Sequence, residues 1–250
     1  GKPIIQNPSL VKALDNLTHV FLESTYGDRL HAKEVDTEEQ LRKIIKHTLR
    51  KKGKVLIPSF SVERSQELVY LIVSLIRKNR VPSLLIYLDS PMAAEVTQVV
   101  LKYPGLYNKE MQELVRIGQN PLKNKHFQVL QTQDESKLLN NQRKSCVIIA
   151  GSGMLNGGRI LKHLRFNIED ERNTIVFTGF QAPGTLGRAI VDGDKEVEIE
   201  QRLYQVKSEI VKVEGFSGHG DQSMLKKWLV HLLPTKNKKI PTVFLVHGEE

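Results

Sequence analysis

The chain has 250 residues, of which 37 are basic and 28 acidic, giving a net charge of +9 at neutral pH. This length allows one large domain or two smaller ones, and no run approaches the roughly 18–20 consecutive apolar residues that cross a bilayer. The excess of positive charge favours a polyanionic partner, although a merely soluble surface explains it equally well.

Short apolar runs rich in β-branched residues alternate along the chain with segments of helical periodicity. The apolar runs predict buried strands at Val20–Leu22, Val55–Ile57, Leu84–Tyr87, Cys146–Ile149, Ile175–Phe177 and Val243–Val246. The intervening segments predict helices at 37–52, 62–80, 91–103, 108–118, 157–166 and 221–232. This alternation is typical of an α/β fold with a largely parallel sheet.

Three local features refine this pattern. Ser90-Pro91 is a favourable helix start, because serine caps the first amides and proline suits the first turn. Cys146 is the single cysteine, which excludes an intrachain disulfide and predicts a buried thiol in a reducing cytoplasm. Residues 191–214 predict short strands joined by turns, where a second domain, or a return of the chain to an earlier one, could begin.

Four segments place polar residues just past a predicted strand, at the edge where open α/β sheets bind ligands. Glu23 follows the first strand, where a carboxylate can orient a metal-bound histidine, act as an acid or base, or simply cap a loop. His219 and His247 lie among small residues, which leave an imidazole accessible to metal or substrate. The other six histidines are interpreted as surface or packing residues.

The two remaining segments are glycine-rich loops. Ser152 and Gly153 lie between a predicted strand and a helix, where backbone amides can contact a phosphate. A structural turn is the alternative, and the glycine spacing departs from the dinucleotide fingerprint. In the later loop Arg188 could neutralise a phosphate or remain solvated. Ser217, His219 and Asp221 have the residue types of a hydrolytic triad, but a triad is defined by geometry and not by local sequence. The G-x-S-x-G elbow is also absent from the chain, so this interpretation is set aside.

Taken in this order, the segments resemble the β-CASP group of metallo-β-lactamase-fold RNA-processing nucleases, which includes RNase J and the mRNA 3′-end cleavage endonuclease. Glu23–Gly27, Gly215–Asp221 and Val243–Glu249 resemble the group's motifs A, B and C, and Ile57–Glu67 and Gly184–Arg188 match further characteristic stretches. The resemblance implies an α/β fold in which a largely parallel-sheet β-CASP domain, residues 29–216, is inserted into a partial metallo-β-lactamase αββα fold. Residues 1–28 and 217–250 would be the two pieces of that interrupted fold.

The resemblance also implies roles for individual residues. In the group, two zinc ions activate a water that attacks an RNA phosphodiester. By position, His247 would be a zinc ligand, His219 a general acid or transition-state contact, and Glu23 a carboxylate that orients an imidazole. Ser152, Gly153 and Arg188 would contact the RNA phosphates.

The group's main zinc-binding signature, H-x-H-x-D-H, is absent from the chain, as are its later single histidine ligand and bridging aspartate. Because zinc takes three or four protein ligands, we expect a fragment that contributes RNA positioning. The two zinc ions would belong to the intact parent enzyme, whereas the chain as given would hold no catalytic zinc and would not cleave RNA.

The expected partner is single-stranded RNA, with DNA as an open alternative, no membrane, and either a homodimer or a processing complex. The expected location is the cytoplasm. Two other functions stay open: a non-catalytic scaffold for RNA processing, and a Rossmann-like nucleotide-binding enzyme. The second leaves the motifs at Glu23, His219 and His247 unexplained.

Overall fold

The computed structural model describes residues 4, 17–30, 36–213, 215–232 and 241–248. Its strands are β1 (His19–Glu23), β2 (Val55–Pro58), β3 (Leu85–Asp89), β4 (Phe127–Val129), β5 (Cys146–Ala150), β6 (Thr174–Phe177), β7 (Glu196–Ile199), β8 (Arg202–Gln205), β9 (Glu209–Lys212) and β10 (Thr242–Val246). Its α-helices are α1 (Thr37–Arg50), α2 (Arg64–Arg77), α3 (Pro91–Lys102), α4 (Lys109–Arg116), α5 (Gln133–Asn141), α6 (Arg159–Asn167), α7 (Leu186–Asp192) and α8 (Gln222–Leu232). Single 3₁₀ turns span Pro104–Leu106 and Pro121–Lys123.

Contacts divide the chain into two compact units. The first contains Ile4 and the described residues from Asp36 to Phe216, and the second contains the described parts of 17–30 and 217–248. This division is made on contacts alone. The domain limits expected from the sequence stay predictions: 1–28, 29–216 and 217–250. Among the described residues, no helix is long and apolar enough to cross a membrane.

The first unit is built on a six-stranded sheet in the order β4-β3-β5-β2-β6-β9. Every neighbouring pair is parallel, which confirms the predicted α/β class with a parallel sheet. Parallel strands leave one strand end at a common edge, so the loops after β2, β3, β5 and β6 all open at the carboxyl edge. The two glycine-rich loops that the sequence singled out, after β5 and β6, therefore open at this edge.

Two apolar layers cover the sheet because successive side chains of a strand point to opposite faces. Val55 and Ile57 of β2 pack on one face with α1 and α2, whereas Leu56 packs on the other with α6 and α7. Ile4 also packs into the first of these layers. Cys146 is buried within β5, and burial raises the pKa of its thiol to about 11, as suits an inert structural cysteine.

The helices begin where the sequence places caps. Ser90 accepts a hydrogen bond from the amide of Ala93 and so caps α3, as predicted. Thr132 and Glu135 form a capping box at the start of α5, a helix that the hydrophobic pattern did not indicate. Strand β4 and helix α7 were also not predicted.

The change of pattern at residues 191–214 lies within the first unit. Strands β7 and β8 form an antiparallel hairpin, and β9 pairs in parallel with β6 at the edge of the main sheet. The first unit therefore runs on to Phe216. In the ranges that the structure describes, the second unit contains the parallel pair β1 and β10 together with α8.

Candidate active site

The second unit places two of the sequence motifs at one end of a strand pair. Strands β1 and β10 are parallel, and their register sets Glu23 opposite Val246. Past this point the amide and hydroxyl of Ser24 both donate to the Val246 carbonyl, at 2.9 and 3.1 Å. The end of β1 and the loop that carries His247 are thereby tied side by side.

Three side chains from the predicted set converge at this strand end. The Nδ1 atom of His219 lies 3.3 Å from Glu23 Oε2. The rings of His219 and His247 are stacked, with centroids 5.2 Å apart and planes inclined by 29°. The residues that the sequence singled out at positions 23, 219 and 247 therefore form one cluster, although the chemical roles expected for them stay predictions.

Thr25 joins the two imidazoles and is a site residue that sequence reasoning missed. Its Oγ1 atom lies 2.8 Å from His247 Nδ1 and 3.3 Å from His219 Nδ1, and it donates to the His247 carbonyl at 2.9 Å. Threonine has no titratable group, so nothing marked it beyond its place in the Glu23–Gly27 motif.

Glu23 is held as a carboxylate by its surroundings. Its Oε1 accepts from the amide of Gly220 at 2.7 Å, and its Oε2 accepts from the amide of Thr25 at 3.1 Å. Burial acts to raise the pKa of Glu23, but these backbone hydrogen bonds, the Thr25 hydroxyl and the charge of His219 outweigh it and lower the pKa. The ionised carboxylate thus fixes both the loop around residue 220 and the ring of His219.

Ser217 and Asp221, which lie near His219 in the sequence, accept hydrogen bonds from backbone amides. Asp221 Oδ1 accepts from the amide of Met224 at 2.8 Å and caps α8. The hydroxyl of Ser217 accepts from the amide of His219 at 3.1 Å. These contacts agree with setting aside a triad of Ser217, His219 and Asp221.

The described residues do not complete a zinc site. Within the ranges that the structure describes, no group of three or more His, Cys, Asp or Glu side chains could hold a metal ion. Zinc takes three or four protein ligands, and the role of His247 as one of them stays a prediction. His247 also has a φ of 59°, a left-handed conformation that is rare outside glycine and is often found at functional sites.

In the first unit, the loops of Ser152 and Arg188 lie next to each other. Gln181 Nε2 donates to the Gly153 carbonyl at 3.1 Å, and the amide of Gly187 donates to the Met154 carbonyl at 3.3 Å. Gly187 lies close against Gln181, since a β-carbon there would overlap the Gln181 side-chain amide as it is placed. The two glycine-rich loops are thus packed together at the carboxyl edge of the sheet.

Two of the residues predicted to contact phosphate, Ser152 and Arg188, already form hydrogen bonds within the protein. Ser152 Oγ accepts from the amide of Asn156 at 3.0 Å and keeps its own proton to donate. Arg188 Nε pairs with Asp192 at 2.7 Å, one turn further along α7. Contact of Ser152, Gly153 and Arg188 with RNA stays a prediction.

A buried ionic cluster at the same edge was not predicted. Asp89, at the end of β3, pairs with Arg159 at 2.6 Å and with His163 at 2.7 Å, and neither Asp89 nor His163 is accessible. His163 Nδ1 lies 2.7 Å from Asn140 Oδ1. The cluster joins β3 to α6 and holds the start of the helix that follows the Ser152 loop.

Comparison with known proteins adds two family matches. Residues 65–190, about half of the chain, match the Beta-Casp domain, and residues 203–250 match the Zn-dependent metallo-hydrolase RNA specificity domain. The first match includes the glycine-rich loop on which the nucleotide-binding alternative rested.

Several characterised proteins are similar to the chain. Ribonuclease TTHA0252 of Thermus thermophilus is 38% identical over 249 residues, covering 100% of this chain and 55% of the relative. Transcription termination factor FttA of Methanosarcina mazei is 34% identical over 239 residues, covering 92% and 37%. The RNase J-like protein of Methanocaldococcus jannaschii is 33% identical over 241 residues, covering 94% and 53%. The chain thus spans about half, or less, of the length of these relatives.

Proposed function

Because the chain belongs to the β-CASP family of metallo-β-lactamase-fold RNA nucleases, we propose that it serves in a zinc-dependent ribonuclease that hydrolyses phosphodiester bonds during RNA processing. The observation that carries this proposal is the convergence of Glu23, Thr25, His219 and His247 at the shared end of β1 and β10. Single-stranded RNA is the proposed substrate, and DNA is the alternative that the assay below distinguishes.

His219 is assigned to the reacting phosphate, as a general acid for the leaving oxygen or as a transition-state contact. A carboxylate beside one ring nitrogen fixes the orientation of an imidazole, which a group that acts on the leaving oxygen requires. Glu23 is placed for this task, 3.3 Å from His219 Nδ1, and is itself held by two backbone amides.

His247 is assigned as one ligand of the catalytic metal. When the Thr25 hydroxyl donates its one proton to the His247 carbonyl, its oxygen is left to accept from His247 Nδ1–H. This tautomer leaves a lone pair on Nε2, the form in which imidazole binds a metal. The described residues do not complete the metal site, so no catalytic step is derived through the metal.

The loops of the first unit are assigned to RNA positioning. Ser152 and Gly153 lie in the loop that leads into α6, and Arg188 lies in the adjacent loop. Backbone amides, a hydroxyl and a guanidinium are groups that bind phosphates without reading sequence. We place this activity in the cytoplasm, in a homodimer or a processing complex.

The test uses the full-length protein with its metal. We expect His247→Ala to lose zinc, measured by elemental analysis, together with cleavage of single-stranded RNA. We expect His219→Ala to keep its zinc while cleavage slows by about 10²–10⁴-fold. A zinc-loaded wild-type protein that binds RNA but leaves it intact would instead favour the non-catalytic scaffold, and one that cuts only DNA would change the substrate.

The chain of 250 residues provides a second measurement. Because it offers one of the family's zinc ligands, we expect it to bind no stoichiometric zinc and to leave RNA uncut. Zinc-dependent cleavage by this chain alone would show that the ligand set assigned here is wrong.

A further inference from the structure

Phe60 is an exposed aromatic side chain at the carboxyl end of a central strand. It follows β2, which lies between β5 and β6 in the sheet, and 51% of its surface is accessible. Its ring lies against Gly153, since a β-carbon at that glycine would be 3.1 Å from both Cδ2 and Cε2. The ring is therefore accessible to a ligand beside a loop assigned to RNA.

The backbone beneath this ring is held firmly. The Phe60 carbonyl accepts from the hydroxyl of Ser65 at 2.7 Å and from that of Ser59 at 3.1 Å, and both serines are buried. Gly153, against which the ring rests, is in turn held by Gln181 through its carbonyl. A rigid aromatic surface binds a ligand with little loss of conformational entropy.

Two hydroxyls lie near Gly151, two residues before the glycine on which the ring rests. The hydroxyls of Ser61 and Ser90 lie 3.3 Å apart, and both are near Gly151, within 4 Å of where its β-carbon would stand. Ser90 caps α3, so the amino end of this 12-residue helix opens at the same edge. Hydroxyls and a helix amino end bind phosphates and sugars, whereas the phenyl ring offers a flat apolar face. A single-stranded nucleic acid presents both chemistries together.

We propose that Phe60 is a stacking platform for one base of single-stranded RNA, beside the phosphate contacts of the Ser152 loop. This inference rests on the function proposed above and specifies how that edge of the sheet holds its substrate. Stacking uses the face of the base, so Phe60 accepts any base.

The experiment measures binding of the full-length protein to a short single-stranded RNA by fluorescence anisotropy at one fixed salt concentration. A second oligomer has the same sugar-phosphate chain but lacks bases. The variants are Phe60→Ala, Phe60→Leu, Phe60→Trp and Val62→Ala. Leucine keeps apolar bulk against Gly153 without a π face, and Val62 is the matched control because it lies in the same loop and is 63% exposed.

We expect the alanine and leucine variants of Phe60 to bind the RNA about five- to thirtyfold more weakly, and to bind the base-free oligomer within about twofold of wild type. The tryptophan variant and Val62→Ala should bind RNA as wild type does. Equal losses on both oligomers, or unchanged RNA binding by both the alanine and leucine variants, would overturn the stacking role while leaving the ribonuclease proposal intact. A wild-type protein that binds neither oligomer would instead refute the proposed function, and the stacking role with it.

Discussion

Replacing Thr25 by valine exchanges one hydroxyl group for a methyl group and tests whether Thr25 positions the two imidazoles of the candidate active site. The substitution removes the hydroxyl that lies 2.8 Å from His247 Nδ1, 2.9 Å from the His247 carbonyl oxygen and 3.3 Å from His219 Nδ1. The side chain keeps nearly its shape. The hydrogen bond from the Thr25 amide to Glu23 is made by the backbone and should persist.

The expected magnitude follows from these contacts. A hydrogen bond of this kind contributes about 0.5–1.5 kcal/mol net, and water can partly replace the hydroxyl at a half-exposed site. The loss of positioning should therefore total about 1–3 kcal/mol, or roughly five- to 150-fold in the rate of RNA cleavage. Because the hydroxyl selects the tautomer of His247, we also expect weaker zinc binding.

The assay is steady-state cleavage of single-stranded RNA by the full-length protein, with zinc content measured on the same samples. Thr25→Ser is the matched control, since serine restores the hydroxyl, and it should cleave within about threefold of wild type. A valine variant that cleaves and binds zinc as well as the serine variant would refute the assignment of Thr25 as the residue that positions both imidazoles.

Three further predictions concern stability. Burial acts to raise the pKa of Asp89, but its hydrogen bonds to His163 and Arg159 outweigh this and lower the pKa below the usual 3.8. Its stabilising contribution is therefore fully present above that value and is lost as the pH falls through the lowered pKa. Asp89→Asn should cost about 3 kcal/mol in urea unfolding at neutral pH and progressively less as the pH falls below 3.8; a destabilisation that does not change with pH would contradict this. Gly158 has a φ of 82° and its β-carbon would overlap the Gly151 carbonyl, so Gly158→Ala should lower the free energy of unfolding by about 2 kcal/mol or more, whereas Gly157→Ala, with open space around it, should change it by less than about 1 kcal/mol. Zinc should raise the melting temperature of the full-length protein, by preferential binding to its folded state, and leave that of the 250-residue chain unchanged; an equal shift in both would contradict the incomplete ligand set.

The sequence pattern was sufficient for most elements of the fold and failed where the local signal was weak. Strand β4 has three residues, too few for alternation to be visible. Helix α7 has seven residues, and α5 is rich in polar residues, yet the Thr132–Glu135 capping box is a signal that could have revealed α5. At residues 191–214 the pattern indicated strands correctly, but it carried no information on the sheet to which β9 belongs.

The sequence by itself determined the fold class, because hydrophobic periodicity is a local property of the chain. It also singled out Glu23, His219 and His247, because each lies in a short motif that can be recognised from its own residues. Only the tertiary structure decided how they meet. Parallel pairing of β1 with β10 joins segments more than 200 residues apart and brings Thr25 between two imidazoles. Such contacts depend on strand register and loop closure across the whole chain, which no local pattern of residues encodes.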